Sequence, residues 1–293
     1  MARRPTKVQS RRKLSDYAET SLALTIERMQ KLLFILIFTA MATILTTTLA
    51  ARAAQVTPLS IIVDPGHGGV DHGATRGEIR ESQICLRISQ YLVEMLKKNP
   101  QQFKVSMTRN ADEQISLADR VDASKDKQAD LFLSIHANAS EDSKAYGIEL
   151  YFQNQLAPDE ESLFLANAEN QNALAAKNST KISSQSDIDN IVDDLKRNQR
   201  ISQSFEFSEN LFNALPRSAF GRIRNHALRQ APFYVISQTN IPAVLVEVGY
   251  ISSEADKAKL ATPEYQKKLA SYLYAGLVKH KDVLDKKKAK SLE

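Results

Sequence analysis

Three residues stand in settings that chemistry would explain better than surface chance. His67 lies within Pro65-Gly66-His67-Gly68-Gly69, directly after the apolar run Ser60 to Asp64 (SIIVD). The flanking glycines let the backbone turn sharply and leave an imidazole exposed at a strand end. His136 closes a second apolar run, Leu131 to His136 (LFLSIH), and is followed by Ala137-Asn138. Strand ends are where open α/β sheets gather functional groups. Glu247 lies inside Ala243 to Val248 (AVLVEV), where a carboxylate is costly to bury unless it is paired, protonated or beside a metal ion. Plainer readings exist for each: a turn histidine, a satisfied core histidine, and a glutamate on the exposed face of an alternating strand. Two histidines at two strand ends nevertheless suit a zinc site, which takes neutral imidazole and carboxylate donors and keeps one position open for water. Glu247 would then be a general base.

Other titratable residues sort around these. Glu81 heads a helix, where it either caps the positive end of the helix dipole or serves a metal, with Glu78 as a competitor. Asp64 and Asp71 read as residues that orient the histidine loop. His72, His226 and His280 lack comparable settings and read as structural or surface residues. Cys85 is the only cysteine, which excludes an intramolecular disulfide and any Cys-rich zinc module; its apolar helical surroundings mark it as a small buried hydrophobe.

The elements that must position these residues follow an α/β alternation from about residue 58. Strands are expected at Ser60 to Asp64, Phe103 to Thr108, Leu131 to His136, Gly147 to Phe152, Phe233 to Ser237 and Ala243 to Val248. Ile84, Ile88, Leu92 and Met95 have helical spacing within Glu81 to Lys98. Ser116-Leu117-Ala118-Asp119 is a capping-box signature for a helix to about Lys125. Thr262-Pro263 supplies an N-cap and a first-turn proline for a long C-terminal helix, with Lys286 to Lys290 expected to fray. Between them, residues 153–216 are polar, helical in pattern and without a strand signal.

The 293 residues, 43% hydrophobic and 25% charged, suffice for one sizeable core. The net charge of +5 comes from basic residues concentrated at the two ends, with no aromatic-interleaved stripe, so nucleic acid is not an expected partner. Leu32 to Leu49 is an almost uncharged run preceded by Arg28 and Lys31 and followed by Ala51-Arg52-Ala53, the pattern of a cleavable signal peptide. An uncleaved leader is the only membrane association expected. Met29 begins a conventional leader by itself, and Ser10-Arg11-Arg12-Lys13-Leu14 is similar to a twin-arginine signal but sits well upstream of the apolar run. The domain reading is therefore a basic extension and signal peptide over 1–54, a catalytic domain over 55–285 with a helical insertion at 153–216, and a basic tail over 286–293.

Six ordered motifs then carry a resemblance: VDPGHGGVDHGA at 63–74, ESQICL at 81–86, MTRNAD at 107–112, LFLSIHAN at 131–138, GIELYF at 147–152 and IPAVLVEVGYIS at 241–252. Over about residues 58–282 the chain resembles the zinc-dependent N-acetylmuramoyl-L-alanine amidases of the type-3 cell-wall class, in particular those of cell division. That resemblance implies a three-layer αβα fold around a mixed sheet of about six strands, of the phosphorylase/hydrolase-like kind. It implies Zn2+ held by His67, Glu81 and His136, with Glu247 as catalytic residue and Asn138 as a substrate contact. It further implies peptidoglycan as substrate, a periplasmic location, and a LytM-type activator protein that displaces a helix of the 153–216 segment. Glu169, in LANAENQNAL, is the expected autoinhibitory ligand on that helix. Two other functions compete: a zinc carboxypeptidase, whose terminal-carboxylate clamp would come from Arg109, Arg120, Arg222, Arg224 or Arg229, and a non-catalytic wall-binding protein.

Overall fold

The computed structural model describes residues 27–43, 57–142, 145–153, 159–171, 187–215 and 227–291. The twin-arginine-like residues 10–14, the expected cleavage site at 51–53, and Arg222, Arg224 and His226 lie outside them. The chain divides into two units, Met1–Val56 and Thr57–Glu293. In the first, residues 27–43 form a helix, α1, whose Leu33, Phe34 and Phe38 are exposed. Among the described residues, no helix is long and apolar enough to cross a membrane.

In the second unit, β1 (Leu59–Pro65) leads through a glycine-rich loop to the hairpin β2 (Thr75–Arg76) and β3 (Ile79–Arg80), then α2 (Glu81–Lys97), β4 (Phe103–Met107), α3 (Leu117–Asp126) and β5 (Leu131–Asn138). Next come β6 (Glu149–Phe152), α4 (Glu160–Glu169), α5 (Asp187–Ala214), β7 (Leu228–Gln230), α6 (Tyr234–Ser237), β8 (Ala243–Tyr250), α7 (Glu254–Leu260) and α8 (Pro263–Lys290). Six strands make one sheet in the order β4-β1-β5-β8-β6-β7. Strands β4, β1, β5 and β8 run parallel, and β6 and β7 run against them.

Alternate residues of the central strands feed two cores. Ile61, Val63, Leu133, Ile135, Val244 and Val246 pack with α2, α5 and α8; Ile62, Phe132, Tyr151 and Leu245 pack with residues of the opposite layer around Phe233, Val235 and Ile236. Both faces are covered, which explains why the strands read as continuous apolar runs. This is the expected αβα arrangement. Local capping chemistry also matches the sequence: the Ser116 hydroxyl accepts from Asp119 N at 3.1 Å and Thr262 Oγ1 accepts from Tyr265 N at 3.4 Å.

Three expectations need correction. Residues 234–237 form a short helix, because so short an apolar stretch carries too little period to separate strand from helix. The strand of that region is β7, an edge strand whose sequence, Leu-Arg-Gln, has no apolar alternation. Lys286 to Lys290 do not fray; α8 continues through Lys290, with Lys287 Nζ bonded to Glu206 at 2.6 Å. The 153–216 segment is also not of one kind. Phe207 and Leu211 of α5, with Leu215 after it, are core residues against α8, where Gly276 lets the helices approach: a Cβ there would lie 2.9 Å from Leu211 Cα.

Candidate metal centre

Strands β1, β5 and β8 point their C-terminal ends at one place, and the predicted residues converge there. The loop after β1 carries His67 in a left-handed conformation, φ 53°, which an L-residue adopts only where its surroundings enforce it. Two buried arginines enforce it. Arg109 donates through Nε to Pro65 O (3.0 Å) and through Nη2 to Gly66 O (2.6 Å) and Ser82 O (2.9 Å), tying the loop to the start of α2. Arg120 donates to Pro65 O (2.6 Å) and His67 O (2.7 Å) and pairs with Asp64 at 2.7 Å. Asp64 is itself held by Thr108 and Ser134. Asp71 accepts from His67 Nδ1 at 3.1 Å, which leaves the Nε2 lone pair free to face the centre.

Glu81 turns away from its helix start, which has no side-chain cap. Its Oε2 accepts from Ala74 N (2.8 Å), and its Oε1 accepts from Ala137 N (3.0 Å) while lying 3.2 Å from His67 Nε2 and 3.0 Å from His136 Nδ1. Glu78, its competitor, is exposed in the hairpin turn between β2 and β3. The two imidazoles meet edge to face at 4.9 Å. Glu169, the last residue of α4, brings its Oε2 to 3.3 Å from His67 Nε2 and 3.6 Å from His136 Nδ1. One donor atom from each of His67, Glu81, His136 and Glu169 lies within 4.8 Å of the others.

The donor set fits a metal ion on two observations. His67 Nε2 is buried without a hydrogen-bond partner although two carboxylate oxygens lie near it, an orphaned buried nitrogen that a cation among these donors would satisfy. The field there also favours positive charge. Burial alone lowers the His67 pKa, but Glu81, helped by Asp71 and Glu169, outweighs it and pushes the value up to about 11. Burial likewise opposes ionisation of Glu81, yet His67 and His136 hold its carboxyl well below the ordinary range. Glu169 is shifted up, by burial first and then by Glu81 against the pull of His136.

Register decides what lies beside the centre. His136 on β5 pairs with Glu247 on β8, which pairs with Glu149 on β6, so the three form a row across one face of the sheet. Glu247 is 1% exposed and its Oε2 has no hydrogen-bond partner. Burial, followed by the carboxylates of Glu81, Glu169 and Glu149, raises its pKa well above the carboxylate range. A carboxylate whose pKa is raised is the stronger base for accepting a proton. Glu149 was legible by the same argument as Glu247, a carboxylate within an apolar strand, but its role differs: it accepts from Tyr151 Oη (2.8 Å), Arg229 Nη1 (3.0 Å) and Asn138 Nδ2 (3.4 Å). Asn138 also lines a groove of about 1070 Å³ that runs past His67 and Glu81 beneath α4.

The structure leaves other candidates outside the centre. His280 is buried on α8 against Asn210, Cys85 is buried, and His72 joins no metal-binding group among the described residues. Arg109, Arg120 and Arg229 are engaged with loop carbonyls or carboxylates.

Residues 61–279 match the family described as N-acetylmuramoyl-L-alanine amidase. The chain is 31% identical over 230 residues to N-acetylmuramoyl-L-alanine amidase AmiC of Escherichia coli O6:H1, covering 77% of this chain and 54% of AmiC. It is 28% identical to AmiA of Escherichia coli K12, over 79% of each. The chain thus spans about half the length of AmiC and about four-fifths of AmiA. Among solved structures, the CwlD amidase of Clostridioides difficile, determined in complex with the GerS lipoprotein, has a similar fold: TM-score 0.58 and 24% identity, covering 77% of this chain and 99% of CwlD.

Proposed function

The chain belongs to the N-acetylmuramoyl-L-alanine amidase family, and on that footing we propose that it hydrolyses, with zinc, the peptidoglycan amide joining the lactyl group of N-acetylmuramic acid to L-alanine. His67, Glu81 and His136 hold the ion. Zinc in such a set supplies Lewis-acid polarisation of the carbonyl and a lowered pKa for water. The chain's residues supply the rest. Asp71 fixes the His67 tautomer, and Arg109 and Arg120 keep its loop from relaxing. Glu247 takes the proton from the attacking water and delivers it to the leaving nitrogen as the C–N bond breaks, releasing the stem peptide as a free amine. Asn138 contacts substrate in the adjoining groove. Glu169 fills the remaining donor position at rest, and a LytM-type activator protein displaces it, so hydrolysis is held for wall remodelling or daughter-cell separation. Residues 1–54 export the enzyme to the periplasm.

One observation carries this reading: the four donor atoms within 4.8 Å, with His67 Nε2 unpartnered among them and Glu247 next in register. Zinc quantification of the purified protein, with digestion of peptidoglycan and mass analysis of products, tests it. Intact stem peptides and about one zinc per chain are expected. Loss of terminal D-alanine alone would indicate a carboxypeptidase, no release at all a wall-binding protein, and absence of stoichiometric metal would overturn the assignment.

A further inference from the structure

Helix α4 brings Glu169 to the centre from outside the sheet, and its apolar hold is small: Ala166 and the partly buried Leu165 pack on the core around Phe233, while Leu163 and Phe164 are exposed. Both its ends are also tied by hydrogen bonds to one short stretch, residues 229–234. At the C-terminal end, Asn170 donates through Nδ2 to Pro232 O (2.9 Å) and accepts from Tyr234 N (2.7 Å). At the N-terminal end, Arg229 Nη2 donates to Asp159 Oδ1 (2.7 Å) and Glu161 Oε2 (3.0 Å). The other amino group of the same guanidinium, Nη1, is bonded to Glu149, the neighbour of Glu247 in the sheet row.

The two sides of Arg229 differ in kind. Glu149 is wholly buried, so withdrawing its cation would leave an uncompensated charge, and this side stays closed. Asp159 and Glu161 are 53% and 47% exposed, and their bonds can be exchanged for water at small cost. We propose that Arg229 is the latch of α4: a guanidinium anchored on Glu149 that keeps the Glu169-bearing helix over the metal centre and releases it through Asp159 and Glu161. The proposal rests on the reading of Glu169 as a resting-state ligand, and it names what sets the balance between closed and open. Arg229 is a positioning residue, since it acts through α4 and touches no reacting atom.

The test is the double variant Asp159→Asn, Glu161→Gln in the full zinc-loaded chain, read by hydrogen–deuterium exchange. Asparagine keeps an oxygen for the Ser162 N–H that Asp159 now caps, so the helix start is preserved. Amides of residues 160–169 are expected to exchange about tenfold faster, with β5 and β8 unchanged. Added salt should accelerate α4 exchange more in the parent than in the variant, because salt screens the exposed Arg229 pairs with Asp159 and Glu161, whereas Glu169 at the other end of the helix sits in a largely buried cluster. Unchanged α4 exchange, or an undiminished salt response, overturns the latch. Basal peptidoglycan hydrolysis by the same samples separates the two readings: a rise alongside faster exchange supports both, whereas faster exchange with a flat rate supports the latch and refutes inhibition by Glu169. Arg229→Lys, which keeps a charge for Glu149 but loses the planar fork, should loosen α4 similarly.

Discussion

Alanine at position 66 would place a methyl carbon 2.5 Å from Cε1, 2.6 Å from Nε2 and 2.7 Å from Nδ1 of the His136 ring. Ordinary contact begins near 3.4 Å, so ring and backbone must part by about 0.9 Å. The backbone cannot give easily, because Arg109 holds Gly66 O and Gly66 N donates to Ile135 O at 2.9 Å. The ring therefore moves, and Nδ1 moves with it. A shift of about 1 Å at a reacting centre costs on the order of 100-fold in rate, and disturbing the support of a metal ligand costs about 10- to 100-fold in affinity. Overpacking adds about 1–3 kcal/mol of destabilisation. Gly66→Ala is thus expected to fold, to melt several degrees lower, and to bind zinc at least about tenfold more weakly in chelator competition. Wild-type zinc affinity in a folded Gly66→Ala protein would refute the claim that the glycine exists to seat His136.

The other expectations concern separate parts of the molecule. Glu247→Gln should retain zinc while peptidoglycan hydrolysis falls by about 10²- to 10⁴-fold; a variant that keeps its rate cannot have lost the proton carrier. Glu169→Ala should raise basal hydrolysis several-fold and alter the metal's coordination seen by X-ray absorption, and if neither changes the inhibitory role is abandoned. His280 has its pKa lowered to about 4 by burial, with Lys287 pulling the same way and Glu206 against. The native imidazole then stays neutral while the unfolded one takes a proton below its ordinary 6.5, so the unfolded state binds more protons between about 4 and 6.5. That contribution, on the order of 3 kcal/mol, is complete above pH 6.5 and lost as pH falls through this window. Denaturant melts of wild type and His280→Gln at both ends of the window should show a flatter pH dependence in the variant, and equal slopes would contradict the assignment.

Much of the centre was legible because its signals are local. The glycines around His67, the apolar strand ending at His136 and the carboxylate within AVLVEV are each a conflict between a residue and its few neighbours, and function resolves such conflicts. Capping at Ser116 and Thr262 is equally local, a side chain bonding an amide three residues on. The strand at 228–230 was not legible, since an edge strand of three residues needs no apolar period, and Arg229 went unplaced with it.

Only the tertiary structure decided what these residues do together. The sheet order sets β1, β5 and β8 side by side, and the register β5–β8–β6 lines up His136, Glu247 and Glu149; both follow from pairings between residues far apart in the chain. Glu81 could have capped its helix, and it faces the imidazoles because Ala74 and Ala137 amides from two other segments hold its oxygens there. Glu169 reaches the same point from a helix that no local pattern directs. Residue type and short-range period are written in a few neighbouring positions, so the sequence by itself determined which groups were chemically out of place. Convergence of charges in a buried site depends on long-range packing and on desolvation, and those exist only once the chain has folded.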